Sequence, residues 1–310
     1  MNKSMPHAIY AQNFTKSYGS FLALKGIDME VRTGEIFGFL GPNGAGKTTA
    51  IRCMLDMIRR DGGDLRIFGQ DPETDPIGVR SLCGYLPGEL RLDENASVRS
   101  ILNYLRRLRG GGKTCKKKIL DLAERLDLNL DSKVKNLSKG NKQKLGITAA
   151  FMHQPKLMLL DEPTSGLDPL VQKTVLELVK EVKESGSTVF FSSHVLAEVQ
   201  SVADRVAIIK NGEIVEVGVT SSLLSKRIWK ANLKFKDRDS SRRDELNKIN
   251  GVSVKSCNEA YDSYVLTIQK EVDPLVKYLA NKEVDFLEIN KPDLEEIFLS
   301  YYGDEKQLTK

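Results

Sequence analysis

The densest chemistry in this chain lies in one run, Gly41-Pro42-Asn43-Gly44-Ala45-Gly46-Lys47-Thr48-Thr49. Gly41 and Gly46 bracket four residues and are followed by Lys and Thr, the spacing of a phosphate-binding loop. Gly41, Gly44 and Gly46 are expected to take positive φ, so that successive N–H groups converge on one anion. A helix starting there aims its unpaired N–H groups and positive dipole end at the same point. Lys47 adds a full charge for terminal phosphates, and the Thr48 hydroxyl can ligate Mg²⁺.

Two carboxylates and a histidine form a second group. Leu157-Met158-Leu159-Leu160 runs into Asp161-Glu162-Pro163, a strand apolar enough to be buried between layers. It delivers both acids to its C-terminal edge, where α/β sheets bind ligands. Asp161 can hold Mg²⁺ through the ion's water shell, and Glu162 can orient or deprotonate an attacking water. Another apolar strand over residues 187–193 ends on His194, at the same sheet edge; His7 and His153 have no such setting.

Ser138, in Leu137-Ser138-Lys139-Gly140-Asn141, is a natural N-cap before an apolar stripe at Leu145, Thr148, Ala149 and Met152. It makes a second helix-start anion site. Tyr18 carries a ring able to stack on a flat heterocycle, with simple packing as the plainer alternative.

The elements that must position these groups are legible. Residues 35–40 read as a buried strand before the glycine loop. Ile51, Met54, Leu55 and Ile58 form one helical stripe after it, with Arg59 and Arg60 at its C-terminal end and Gly62-Gly63 as its stop. Residues 8–14 and 27–31 alternate as two strands of a small antiparallel sheet. Helices over 98–109 and 116–126 belong to a helical insertion at about 90–152. Asp168-Pro169 opens a further helix, and Asn211-Gly212 turns a hairpin.

At 310 residues, with 40% hydrophobic and 29% charged residues, the chain suits two ordinary globular domains. Four scattered cysteines without a CxxC pair fit a reducing cytosol. No apolar run approaches the ~18 residues that span a bilayer, so any work at a membrane needs a partner that supplies the spans. A net charge of +5 is no nucleic-acid signature. The basic run from Arg99 to Lys118 reads as a solvated helical face in preference to a lipid-facing patch.

In order and spacing these segments resemble the nucleotide-binding subunit of an ATP-binding cassette transporter, over about residues 8–220. The resemblance implies an α/β P-loop ATPase cassette with a RecA-like core, an antiparallel β subdomain and an α-helical subdomain. By that resemblance Tyr18 stacks on adenine, residues 41–49 are the Walker A loop, and residues 157–162 are the Walker B strand with Glu162 as catalytic glutamate. Residues 165–168 look like the D-loop, with Asp168, and His194 like the switch histidine. The implied cofactors are ATP and Mg. The implied partners are a second ATPase subunit, most simply a second copy, and an integral membrane permease, with no nucleic acid expected. The signature of one subunit, here Ser138, Lys139, Gly140 and Asn141, closes over the ATP of the other. The implied location is cytoplasmic, peripheral at the inner face of the membrane.

This chain departs from the family twice. The family signature Leu-Ser-Gly-Gly-Gln reads Leu137-Ser138-Lys139-Gly140-Asn141 here, and Gly88-Glu89 stands where a metal-touching glutamine is usual. Glu89 is the candidate replacement at that metal contact, although a carboxylate is not an amide.

Residues 225–310 are expected to form a second domain of order βαββαβ, a ferredoxin-like α+β plan, closed by a helix with Leu294, Ile297, Phe298 and Tyr301 on one face. Its ending, Asp293-Leu294-Glu295-Glu296-Ile297-Phe298-Leu299, looks like the tail of drug- or antibiotic-exporter ATPase subunits. Export through a separate permease is the favoured reading. The alternatives are a soluble cassette ATPase not coupled to transport and a nucleotide sensor without turnover, the latter opposed by Glu162 and His194.

Overall fold

The computed structural model describes residues 7–225, 229–237, 239, 241–258, 260–269 and 271–290. The chain divides into two compact units between Thr220 and Ser221.

The first unit opens with β1 (His7–Tyr18) and β2 (Phe21–Arg32), an antiparallel pair with Tyr18 opposite Phe21. Both strands run further than the sequence alternation suggests. The register shifts beside Asn13, whose φ is 47°, and such a bulge exchanges the inward and outward positions along a strand. β3 (Ile36–Leu40) is buried at every residue.

The next helix, α1 (Lys47–Met54), is shorter than its apolar stripe. Leu55 caps it and Asp56 takes a φ of 48°. Ile58, Arg59 and Arg60 lie past its end, and Gly62-Gly63 open β4 (Gly62–Ile67) instead of stopping the helix. Arg60 serves another purpose: it grips buried Asp71 with two hydrogen bonds, of 2.9 and 2.7 Å. β4 pairs with β1, completing a three-stranded antiparallel sheet.

α2 (Pro76–Leu82) and β5 (Cys83–Leu86) lead into the helical insertion, α3 (Val98–Leu108), α4 (Lys113–Arg125) and α5 (Lys139–Phe151). The core resumes with β6 (Leu157–Asp161), α6 (Pro169–Glu184), β7 (Thr188–Ser193), α7 (Leu196–Val202), β8 (Arg205–Lys210) and β9 (Glu213–Val219). These strands make a six-stranded sheet in the order β5-β6-β7-β3-β8-β9. All neighbours are parallel except β8 and β9, which turn at Asn211-Gly212. Parallel strands buried on both faces need continuous apolar runs, and Phe37, Phe39 and Phe190 supply a stack with centroids 5.9 and 5.3 Å apart. Each such fully buried ring contributes about 1.5–3 kcal/mol.

Register sets the edge. Leu40 lies level with Ser193, and Asp161 with Ser192, so the segments after β3, β6 and β7 emerge side by side. In the basic run, Arg99 pairs with Asp131 and Lys118 with Asp121, while Arg106 and Arg109 donate to the Gly111 and Cys83 carbonyls in part-buried positions, unlike a purely solvated face.

Helix α8 (Thr220–Ser225) follows β9; the compact units part at its first residue, a few residues before the 224/225 boundary expected from the sequence. The second unit contains β10 (Trp229–Phe235), α9 (Arg242–Lys248), β11 (Val252–Asn258), β12 (Ser263–Ile268), α10 (Asp273–Leu279) and β13 (Val284–Asn290). Its antiparallel sheet has the order β11-β12-β10-β13. Ala231, Leu233, Phe235, Leu266 and Ile268 alternate onto one face, where Leu246, Leu275 and Leu279 of the helices cover them. Arg242 is buried there, over the Phe235 ring at 4.0 Å and bonded to Asp262. The helix expected over residues 294–303 lies outside the described residues.

Candidate active site

The glycine loop carries β3 into α1. Gly44 and Gly46 take φ of 81° and 109°, as a converging row of N–H groups requires. Gly41 is a glycine for a different reason from the one expected. It does not have positive φ; a Cβ there would stand 2.4 Å from the Ile209 carbonyl oxygen. Its own N–H donates to Ser193 O at 3.1 Å, tying the loop to the end of β7.

Lys47 is buried at the head of α1. Its ammonium donates to the carbonyls of Gly41 (2.7 Å) and Pro42 (3.0 Å) and stands 3.3 Å from Glu162 Oε1. Thr48 donates its hydroxyl to Asp161 Oδ2 at 2.7 Å, and Ser192 donates to Asp161 Oδ1 at 2.7 Å. A hydroxyl and a buried carboxylate thus face each other beside the phosphate loop, a donor set of hard oxygens suited to Mg²⁺.

Glu162 adopts a φ of 50°, an uncommon conformation for a residue of its size. That turn swings its carboxylate between two nitrogen groups: the Lys47 ammonium on one oxygen and His194 Nδ1, at 3.0 Å, on the other. His194 follows β7 directly, as its place in the sequence predicts. Tyr18 lines a cleft of about 220 Å³ with Asn43, Lys47, Thr48, Thr49 and Glu162. Tyr18 is half-exposed and Phe21, across the β1–β2 turn, lines the same cleft.

Ser138 caps α5 by accepting from Asn141 N at 3.2 Å. Gly140 packs on the D-loop so closely that a Cβ would lie 2.9 Å from Gly166 O. The Lys139 stem runs past Gly166. Asp168 caps α6, accepting from the amides of Leu170 and Val171 at 3.1 Å. Ser138, Lys139, Gly140 and Asn141 are not brought to the glycine-loop cleft of their own chain. Glu89 is exposed and paired with Arg91 at 3.5 Å, while Gly88 is the residue next to Asp161.

Four participants escape sequence reasoning. Phe21 joins Tyr18, and Ser192 holds Asp161. Buried Gln143 donates to the carbonyls of Glu162 and Pro163, both at 3.1 Å. Buried Glu198 accepts from Thr164 (2.5 Å) and Ser193 (2.7 Å), joining the D-loop to the strand before His194. Only Gln143 gives any hint, as a polar residue inside an apolar helix face.

Comparison with known proteins agrees with this geometry. Residues 24–165 match the ABC transporter domain model. The linearmycin resistance ATP-binding protein LnrL of Bacillus subtilis (strain 168) is 30% identical over 309 residues, covering 95% of this chain and 98% of the relative. The daunorubicin/doxorubicin resistance ATP-binding protein DrrA of Streptomyces peucetius is 32% identical over 252 residues, 80% of this chain and 76% of that protein. A solved ATP-binding subunit of an ABC transporter superposes with a TM-score of 0.66 at 28% identity, covering 70% of this chain and 91% of that one. The chain belongs to the ATP-binding subunits of the ABC transporter family.

Proposed function

We propose that this chain hydrolyses Mg-ATP as one half of a head-to-tail pair and so drives a separately encoded membrane permease of the exporter kind. The observation that carries this reading is the Glu162 carboxylate, set at the sheet edge beside the glycine loop between Lys47 and His194. Tyr18 and Phe21 offer the adenine platform, and the loop amides with Lys47 hold the phosphates. Thr48 and Asp161 hold Mg²⁺, which when bound offsets charge on the phosphate oxygens. Glu162 orients and deprotonates the attacking water, and His194 fixes the carboxylate and reaches the terminal phosphate.

A second copy is needed because the Ser138 helix start lies apart from the cleft of its own chain. Two helix-start anion sites on one chain find one phosphate only when two chains face each other. The exporter reading draws on the resistance proteins among the relatives. No described helix is long and apolar enough to cross a membrane, so we place the chain at the membrane periphery, on its permease.

Arg109, the residue capping the end of α3, supports a coupling route. Its guanidinium donates to Cys83 O at 2.8 Å, β5 and Pro87 then lead to Gly88, and Gly88 abuts Asp161. A push on the helical insertion reaches the Mg²⁺ carboxylate by this path. The test is ATP turnover by the purified chain with and without Mg²⁺, and recovery of the chain with membranes from cells. Turnover independent of Mg²⁺ overturns the metal assignment, and a chain found only in the soluble fraction overturns the peripheral one.

A further inference from the structure

The left-handed backbone of Glu162 is fastened from two sides. Such a conformation is unfavourable for a non-glycine residue and persists where the surroundings over-determine it. From β7, Ser192 accepts the Glu162 N–H through both its carbonyl and its hydroxyl, at 3.2 Å. From α5, the Gln143 amide reaches Glu162 O and Pro163 O at 3.1 Å each. Both of its N–H bonds are thereby directed at the two peptide units that follow the glutamate, the first of which fixes its C-terminal side. Gln143 is buried, so water is a poor substitute for its donors.

The same helix starts at Ser138 and Gly140, the groups that close on a second copy's nucleotide in the function proposed above. Little more than one turn separates that cap from Gln143. One rigid element therefore carries a contact for the partner's site and a fastener for its own chain's carboxylate.

We propose that Gln143 is a positioning residue that, from the signature helix, holds the backbone of Glu162 in its own chain. The inference rests on the hydrolytic pair proposed above. It concerns the backbone carbonyls of residues 162 and 163, and asks nothing of Gln143 toward the nucleotide.

A double-mutant cycle tests it, using the full-length chain with Mg-ATP and single-turnover rates for the slow variants. Gln143→Met keeps the length of the side chain and removes both donors. It is expected to lower kcat about tenfold or more, as small misplacements of catalytic groups do, with the KM for ATP within twofold of wild type. Added to Glu162→Gln, it is expected to cause less than a twofold further loss, because the group it positions is already disabled. An equal loss in both backgrounds overturns the proposal, since Gln143 then acts through some other group. No loss in the wild-type background overturns it as well. Should Gln143→Met fail to fold, Gln143→Glu replaces it, with an acceptor oxygen against the carbonyls and the same expected pattern. A wild-type chain without turnover defeats the proposed function itself, and the inference falls with it.

Discussion

The His194 imidazole and the Glu162 carboxylate meet at 3.0 Å, Nδ1 to Oε2, across the neighbouring ends of β7 and β6. Neither residue comes from the glycine loop, yet the carboxylate they share also meets that loop's Lys47, at 3.3 Å. The contact places the His194 imidazole where it can orient the Glu162 carboxylate.

Replacing Glu162 by Gln keeps the shape and removes the base. Turnover is expected to fall on the order of 10²–10⁴-fold, while ATP still binds and a nucleotide-bound dimer accumulates. Size-exclusion chromatography with ATP and a phosphate-release assay measure both effects. Rapid hydrolysis by this variant removes the base assignment.

Lys47→Ala acts earlier. It takes away the charge offered to phosphate and leaves the Gly41 and Pro42 carbonyls without their donor. Nucleotide affinity is expected to drop at least tenfold, read by titration with a fluorescent ATP analogue. An unchanged affinity places phosphate recognition in the loop amides alone.

Tyr18 and Phe21 are expected to govern affinity and leave the chemistry alone, since both line the cleft beyond the reacting groups. Loss of one stacking ring costs about 1–3 kcal/mol, so Tyr18→Ala raises the KM for ATP roughly five- to 160-fold with kcat nearly constant. Phe21→Ala shifts KM in the same direction. Steady-state kinetics separate this from packing, in which case KM stays put and thermal stability falls.

His153 makes stability depend on pH. Burial, with the Arg109 charge nearby, depresses its imidazole from the usual 6.5 to about 4, outweighing a weak opposing contact with the Cys83 backbone. The unfolded chain therefore takes up a proton near pH 6.5 that the folded chain refuses until about pH 4. Its stabilisation is complete above 6.5 and is lost as pH falls through that window, on the order of 2–3 kcal/mol in all. Thermal unfolding at pH 7.5 and 5.0 is expected to show a smaller difference in His153→Leu than in wild type. Equal differences in both chains defeat the attribution.

Much of this arrangement is legible in the sequence because its causes are local. Glycines before a lysine, an apolar strand ending in two acids, and a histidine closing the next strand each specify their own surroundings. Parallel-strand burial then requires the acids and His194 to share an edge. Contacts between segments distant in the chain are not legible in this way. Glu198 looks like an ordinary helix residue until α7 is packed, the polarity of Gln143 hints at burial but not at its partners, and Ser192 looks like strand filling until it lies level with Asp161. The α1 stripe misleads for a local reason. Ile58 packs against the same core after the helix has ended, so apolar spacing outlives helical geometry.

The approach of Gly140 to the Gly166 carbonyl bears on how such a chain can diverge. A side chain at 140 collides with backbone, which cannot swing aside as a lysine tip can. At 139 and 141 the opposite holds: this chain carries Lys and Asn where its family usually has Gly and Gln, and Lys139 finds room over Gly166. The signature is thus a motif with unequal letters. Mutational drift has somewhere to go on either side of Gly140 and nowhere to go at it, so substitutions that retune the signature are open to the flanking positions and closed to the centre.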